Sequence, residues 1–229
     1  NPSSGTVKLF GKELQKSSLD AKEFVGYMTQ NFSLYSELSV YENLKLHAKL
    51  FHIKNQNQRL EYLLEKFSLK EYKNSFEKDL PLGIKQRLSL AVAVVHTPKM
   101  LILDEPTSGV DPVSRDNFWK LLVDLSRNEN VTIFISTHFM NEGERCDRIS
   151  LMHKGKVLVS NTPEDLIKQK NKDNLEDAFI AYIEDVLDES EKKVITLETE
   201  DKNIEKNITQ NSFFSLQRAL SYSYKESLE

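Results

Sequence analysis

The sequence predicts an α/β fold with a parallel sheet, and two apolar runs that each end in polar residues carry this prediction. The first run, Met100–Leu103, is short and continuous, as a fully buried parallel strand requires. The second run, Val131–Thr137, is rich in β-branched and aromatic residues. A segment of helical length separates the runs, which is the layout of neighbouring parallel strands that present their carboxyl ends at one edge.

Residues that can bind a metal ion or transfer a proton follow both runs directly. Asp104 and Glu105 follow the first run, and His138 follows the second. One carboxylate at a sheet edge suits Mg²⁺, which prefers oxygen ligands, and a second suits the activation of an attacking water. For the carboxylates the alternative is an acidic turn that caps a core strand. For the histidine the alternative is a hydrogen-bonded structural residue.

The elements before the first run are predicted from periodicity. Residues 6–10 and 24–28 are expected to form strands, with a short helix over 19–23 between them. Apolar residues at helical spacing predict an α-helical region over 36–96, whose last helix is expected over 84–96.

A hairpin and a helix are predicted after the second run. Residues 148–151 and 156–159 are expected to pair around Lys154 and Gly155. Thr162 and the proline after it are typical of a helix start, because threonine caps the helix and proline suits its first position.

Composition limits the classes of function. The net charge of -4 gives no support to nucleic-acid binding, so direct DNA binding is not expected. Cys146 is the only cysteine, which excludes a disulfide framework, and we expect neither a signal peptide nor a membrane-spanning run.

Residues 184–206 are dense in charge, as in a flexible linker, and residues 213–224 carry an amphipathic helical pattern.

Five stretches, in this order along residues 1 to 167, together resemble the ATP-binding cassette (ABC) ATPases. Pro2–Val7 resembles the segment after the first nucleotide-binding helix, and Tyr27–Gln30 resembles the Q-loop. Leu101–Asp111 resembles the Walker B motif and D-loop, Ser136–His138 the switch histidine, and Gly155–Val157 the late hairpin. The resemblance extends to the ATPase halves of ABC-2 type exporters and to ribosome-associated ATPases.

The resemblance implies a P-loop NTPase-like (RecA-like) core with an inserted α-helical subdomain. Residues 1–35 would hold part of the core with the Q-loop, and residues 36–96 the α-helical subdomain that ends in the signature. Residues 97–170 would hold the RecA-like core with Walker B, D-loop and switch histidine. Residues 171–229 would form a C-terminal extension with an acidic linker towards a following domain.

The resemblance also implies a role for each site residue. Glu105 and His138 would be catalytic: the first would polarise the attacking water and the second would contact the γ-phosphate. Asp104 and Gln30 would hold Mg²⁺, Asp104 through water. Gln30 would also sense the metal and the attacking water and link the site to the helical subdomain. Asp111 would belong to the nucleotide site and reach across a dimer.

The phosphate-binding loop of such ATPases does not occur in the sequence. Its nearest counterpart, Gly5 to Glu13, has glycines one residue too far apart and a glutamate where the Mg²⁺-binding hydroxyl should be. We therefore expect a cassette truncated after its Walker A motif, lacking the first strand, loop and helix. Such a fragment alone is expected to be inactive.

The signature loop also departs from the Leu-Ser-Gly-Gly-Gln pattern of the family. Pro81 supplies neither a hydroxyl nor an N–H, and Leu82 adds bulk where bare backbone is usual. Gly83 remains as the candidate for nucleotide binding. Because cassettes of this family pair head to tail, two copies of this loop would damage both sites, so we expect a non-identical partner cassette.

The resemblance thus implies an ATP- and Mg²⁺-dependent ATPase that couples hydrolysis to export. Its partners would be a second cassette and a transmembrane permease, at the cytoplasmic face of the plasma (inner) membrane. One alternative is a non-catalytic interaction module that keeps the cassette fold. Another is a ribosome-associated ABC ATPase, whose partner would be the ribosome.

Overall fold

The structure, a computed structural model, describes residues 5–6, 8–13, 23–30 and 34–187. Two units can be distinguished, residues 1–138 and residues 139–229. The predicted helix over 19–23 falls almost wholly outside the described residues. The same holds for most of the predicted linker over 184–206 and for the whole amphipathic segment over 213–224. The domain boundaries expected at residues 35, 96 and 170 stay predictions.

A short hairpin opens the first unit. Strand β1, Lys8–Leu9, pairs antiparallel with strand β2, Lys12–Glu13. Phe10 and Gly11 have φ values of 47° and 78°, the left-handed pair that a tight two-residue hairpin turn requires. The prediction of a strand over 6–10 was therefore too long, because Phe10 already belongs to the turn.

A parallel sheet forms the centre of the first unit. Its three strands lie in the order β3, Val25–Met28; β4, Met100–Asp104; and β5, Thr132–Ser136. Both pairings are parallel, and the second aligns Asp104 with Ser136. The predicted α/β class with a parallel sheet is confirmed.

Helices separate the first two strands of this sheet. Helix α1, Val40–Leu50, begins with a capping box between Ser39 and Glu42. Helix α2, Gln56–Lys66, and helix α3, Leu82–Ala93, follow. These helices bury a shared set of apolar side chains, which includes Leu44, Leu60, Leu63, Leu64, Phe67 and Leu88.

Helix α3 starts and ends earlier than the predicted 84–96. Pro81 stands as its N-cap with φ −58° and ψ 150°, so the helix can begin at Leu82. Val94 leaves helical geometry at φ −103° and ψ 4°, which ends the helix before His96.

A long helix connects the second and third strands. Helix α4, Pro112–Asn128, has proline at its first turn and Asp111 as its N-cap. It buries Phe118 and Trp119. This parallel crossover brings the ends of β4 and β5 to one edge of the sheet.

In its described part, which ends at residue 187, the second unit contains a hairpin and three helices. Helix α5 is Met140–Gly143, strands β6 and β7 are Ile149–His153 and Lys156–Asn161, and helices α6 and α7 are Pro163–Lys170 and Leu175–Glu184. The hairpin turns at Lys154 and Gly155, with φ values of 46° and 71°, as predicted.

No helix was predicted over residues 175–184, although Leu175, Phe179 and Tyr182 follow helical spacing. Leu175 packs with Leu151 and Leu166 in the core of this unit, and Phe179 and Tyr182 pack against them. Residue 170 is the last residue of helix α6, so the boundary expected there falls between two helices that pack in one apolar cluster. Within the described residues, no helix has the length and apolar character needed to cross a membrane.

Candidate active site

Glu105 stands at the centre of a polar cluster at the carboxyl edge of the sheet. Gln30 Nε2 donates a hydrogen bond to Glu105 Oε2 over 3.1 Å. His138 Nδ1 lies 3.2 Å from Glu105 Oε1. The two neighbours therefore occupy different oxygens of one carboxylate and fix the plane in which it lies.

The order of the parallel strands explains why these side chains meet. Gln30 follows β3, Glu105 follows β4 and His138 follows β5. Because the strands run parallel in the order β3, β4, β5, all three segments leave the sheet at the same edge, with Glu105 in the middle.

The contact between His138 and Glu105 constrains the histidine ring. A carboxylate oxygen only accepts, so Nδ1 must carry the proton for a hydrogen bond to form. The ring's second nitrogen, Nε2, then donates only when the ring is doubly protonated. The side chains of His138 and Glu105 are 41% and 31% exposed, so a ligand can reach both.

Asp104 is held by a residue that sequence reasoning did not assign. Ser136 Oγ donates to Asp104 Oδ1 over 2.6 Å. The only sequence signal was the hydroxyl at the end of the second predicted strand, and its register against Asp104 became visible only with the strand pairing.

The oxygen atoms that Asp104 and Gln30 offer at this edge are of the kind that Mg²⁺ prefers. Asp104 offers a carboxylate and Gln30 an amide oxygen, and the amide nitrogen of Gln30 is turned to Glu105. Mg²⁺ usually keeps several waters and takes one or two protein oxygens together with substrate phosphates. A group of three His, Cys, Asp or Glu side chains suited to a metal does not occur among the described residues, so a metal here would depend on water and substrate.

In the part of the chain that the structure describes, Asp111 and Gly83 are not part of this cluster, and both lie next to Ser114. Asp111 Oδ1 accepts hydrogen bonds from the backbone N–H groups of Val113 and Ser114 over 3.1 Å and 3.0 Å. The hydrogen bond from Ser114 N–H, together with one from its side chain, holds the pKa of Asp111 below its usual range.

Gly83 lies in the first turn of α3, against the first turn of α4. A methyl group placed on Gly83 would stand 2.6 Å from Ser114 Oγ. The neighbouring residue, Leu82, places its Cδ2 3.6 Å from where a Cβ on Gly109 would be. The predicted signature and D-loop segments therefore pack together within one chain.

Comparison with known proteins identifies the family. The model of the ABC transporter family matches residues 1–108. The solved structure of cbiO1 from Clostridium perfringens, part of the ABC transporter complex cbiONQ, aligns with a TM-score of 0.67 and 30% identity, over 74% of this chain and 70% of that chain. This chain belongs to the ABC transporter ATP-binding family. The fold is accordingly the P-loop NTPase-like fold of ABC ATPases.

Two curated relatives support the same assignment. The probable multidrug ABC transporter ATP-binding protein YbhF of Escherichia coli is 42% identical over 191 residues, 80% of this chain and 33% of that protein. The bacitracin transport ATP-binding protein BcrA of Bacillus licheniformis is 33% identical over 198 residues, 86% of this chain and 61% of that protein. The chain thus spans between a third and about three fifths of the length of these relatives.

Proposed function

We propose that this ABC cassette binds and hydrolyses ATP as part of an ABC transporter and couples hydrolysis to export. The observation that carries the proposal is the placement of Glu105 between Gln30 and His138, beside Asp104. A carboxylate held on both oxygens, with a metal-binding carboxylate next to it in the chain, suits the activation of a water for attack on a phosphate.

Glu105 is proposed as the residue that polarises the attacking water. One of its oxygens accepts a hydrogen bond from Gln30, and the other lies 3.2 Å from Nδ1 of His138. A carboxylate oxygen has two lone pairs, so each can accept a further hydrogen bond from water without losing its neighbour. Gln30 and His138 thereby orient the carboxylate while leaving it able to take a proton.

His138 is proposed to contact the γ-phosphate. Its Nδ1 is engaged by Glu105, which leaves Nε2 as the atom for a phosphate oxygen. With both ring nitrogens protonated, the histidine can donate to the carboxylate and to the phosphate together and can stabilise the charge that develops during transfer.

Asp104 and Gln30 are proposed to hold Mg²⁺, Asp104 through water. A bound Mg²⁺ would neutralise charge on the phosphates. The hydrogen bond from Ser136 occupies Asp104 Oδ1, and the amide nitrogen of Gln30 faces Glu105. Asp104 Oδ2 and Gln30 Oε1 are thus the atoms proposed to face the metal and its waters.

The proposed partners are a second, non-identical cassette and a transmembrane permease, at the cytoplasmic face of the membrane. Gly83 and Asp111 are proposed to serve the site that this chain shares with the second cassette. Their joint contact with Ser114 supports this grouping, because it holds the signature turn and the D-loop together.

The variant Glu105→Gln in the full-length protein tests the proposal. We expect ATP binding to be retained and hydrolysis to fall by about 10²- to 10⁴-fold, the usual effect of losing a general base. Glu65→Gln, which alters an exposed carboxylate of helix α2 paired with Lys70, is the matched control and should keep full turnover. Unchanged hydrolysis in Glu105→Gln would contradict the catalytic role of Glu105 and make it a structural residue. A full-length wild-type protein that binds ATP without hydrolysing it would contradict the proposed function and favour the non-catalytic interaction module.

A further inference from the structure

Ser136 touches both carboxylate residues of the candidate active site. It is the last residue of β5 and lies opposite Asp104 in the parallel register. Its hydroxyl donates to Asp104 Oδ1 over 2.6 Å, and the backbone N–H of Glu105 points at the same hydroxyl over 3.3 Å. One side chain therefore connects the Asp104 carboxylate to the backbone of Glu105.

The chemistry of a hydroxyl fixes the direction of these two hydrogen bonds. Ser136 has one proton to donate and two lone pairs, and a carboxylate can only accept. The proton must therefore go to Asp104, and a lone pair must face Glu105 N–H. A separation of 2.6 Å is in the range of a hydroxyl donating to an ionised carboxylate, which is about twice as strong as a neutral hydrogen bond.

The backbone at Glu105 needs such support. Its φ is 43°, in the left-handed region that residues other than glycine rarely adopt. Such a conformation persists only where the surrounding structure stabilises it. Ser136 stabilises this conformation with two acceptors. The backbone N–H of Glu105 donates to the carbonyl oxygen of Ser136 over 3.1 Å and to its hydroxyl over 3.3 Å.

We infer that Ser136 is a positioning residue for both carboxylates of the active site. By occupying Oδ1 of Asp104 it turns Oδ2 towards the metal position, and by accepting from Glu105 N–H it keeps that side chain between Gln30 and His138. The inference rests on the proposed function, since it assigns to the Asp104 carboxylate a role in metal binding.

The inference predicts an effect on metal use that a merely structural serine would not have. Removing a hydrogen-bond partner of a metal-binding group typically costs about 10- to 100-fold in metal affinity or activity. Loss of the hydroxyl should therefore raise the Mg²⁺ concentration at half-maximal ATP hydrolysis by at least about tenfold. It should also lower turnover at saturating Mg²⁺, because the backbone N–H of Glu105 loses one of its two hydrogen-bond acceptors.

The test compares Ser136→Thr with Ser136→Val in the full-length protein. The two side chains have the same shape, both suit a strand, and they differ only by a hydroxyl in place of a methyl group. Ser136 is exposed, so neither variant has to fit a packed core. Hydrolysis is measured against Mg²⁺ concentration, and Mn²⁺ binding to the ATP-loaded protein is measured separately by electron paramagnetic resonance.

We expect Ser136→Thr to keep the wild-type Mg²⁺ dependence and Mn²⁺ affinity, and Ser136→Val to lose about tenfold or more in both. The control Ser150→Ala removes a strand serine hydroxyl that bonds Ser160 in the second unit, and it should change neither quantity. Equal Mg²⁺ and Mn²⁺ curves for the Thr and Val variants would overturn the inference. If Glu105→Gln is inactive while both Ser136 variants behave as wild type, the inference about Ser136 fails and the proposed function stands. If the full-length wild-type protein does not hydrolyse ATP, the proposed function fails.

Discussion

Gly83 and Ser114 approach so closely that a Cβ atom on Gly83 would lie 2.6 Å from Ser114 Oγ and 2.7 Å from Ser114 Cβ. Real Cβ atoms essentially never come within 3.0 Å of another heavy atom in this way, so a side chain here would force the two helices apart. The glycine therefore serves the packing of α3 on α4 inside this chain. Its proposed contact with a nucleotide is a separate role.

The first prediction is that Gly83→Ala destabilises the fold and that Ser114→Gly restores much of the loss. Alanine is favoured over glycine in a helix by about 1 kcal/mol, but forced overpacking costs about 1–3 kcal/mol, so the clash should win. Removing the Ser114 side chain deletes both atoms that the new Cβ would meet. Urea unfolding of the wild type, both single variants and the double variant measures the coupling.

The four unfolding free energies decide between packing and another role. Residues in contact show interaction energies of about 0.5–3 kcal/mol, whereas independent sites add within about 0.5 kcal/mol. A strictly additive double variant would contradict the close contact. A stable Gly83→Ala protein with low ATPase activity would instead assign Gly83 to the nucleotide alone.

The second prediction concerns Asp111 as a helix cap. Asp111→Ala should lower the melting temperature, because the N–H groups of Val113 and Ser114 lose their acceptor, while Asp111→Asn should keep the cap. The pKa of Asp111 in the folded state lies below its ordinary value of 3.8. Its charge therefore stabilises the fold above the unfolded pKa, and this contribution is lost as the pH falls through the folded pKa.

Thermal unfolding as a function of pH checks both parts of this prediction. Between about pH 5 and pH 2 the wild type should lose more stability than Asp111→Asn, since the amide does not titrate. Equal melting temperatures for the Ala and Asn variants at neutral pH would contradict the cap. If Asp111→Asn keeps its stability but slows hydrolysis in the full-length protein, the carboxylate also acts at the nucleotide.

The third prediction concerns an ion cluster that joins helix α2 to the end of α4. Lys66 Nζ bonds both Asp124 and Glu129, and its side chain is 13% exposed. Tyr62 donates to Glu129 over 2.6 Å. Lys66→Met keeps the apolar stem and removes the charge, so it should destabilise the fold by about 1 kcal/mol, a modest value because Asp124 is 40% exposed.

The pH dependence of this loss follows from the carboxylates. The hydrogen bond from Lys66 lowers the pKa of Asp124, so the cluster contributes above the unfolded carboxyl pKa near 4 and is lost as the pH falls through the folded value. The free-energy gap between wild type and Lys66→Met should therefore shrink from pH 7 to about pH 3. Lys70→Met, which breaks an exposed pair with Glu65, is the control and should show little effect at either pH. A gap independent of pH would contradict the ionic explanation.

The sheet and the position of Glu105 could be predicted because they follow from short-range patterns. Continuous apolar runs predicted β4 and β5. Because the carboxyl ends of parallel strands lie at the same edge of a sheet, Glu105 and His138 were predicted to lie close together. Gln30 could not be predicted from a local pattern, because the residues next to it in the sequence do not indicate a functional role. It entered the site only through the resemblance of Tyr27–Gln30 to a Q-loop.

The remaining contacts depend on which residues face one another across elements far apart in sequence. Ser136 is an ordinary strand serine until the register places it opposite Asp104. Lys66 and Asp124 are separated by 58 residues, so no local rule pairs them. The Asp111 cap, in contrast, was readable in principle, since aspartate followed by proline before an apolar periodic segment is a helix-start signal.

The signature turn differs from the family pattern in the residues that begin helix α3. Pro81 is the N-cap of α3 and provides no side-chain cap, and Leu82 packs its Cδ2 towards Gly109. Leu82 is 39% exposed, so the turn presents a leucine side chain where a serine and a glycine would offer donors to a phosphate. Losing such a donor to a transition-state phosphate costs about 3–4 kcal/mol, which is too large to be repeated in both sites of an active dimer.

The fourth prediction follows: this cassette pairs with a different cassette that supplies an intact Ser-Gly-Gly signature. Restoring Pro81→Ser together with Leu82→Gly in the full-length protein should leave hydrolysis unchanged, because the productive site uses Glu105 of this chain and the signature of its companion. Replacing the serine of the companion's signature should abolish hydrolysis. Steady-state ATPase rates of the two variants, each checked for its melting temperature, measure both effects. A severalfold gain in turnover from the restored signature, in a protein that has no second kind of cassette, would show that two identical chains form the sites and would end the asymmetric arrangement.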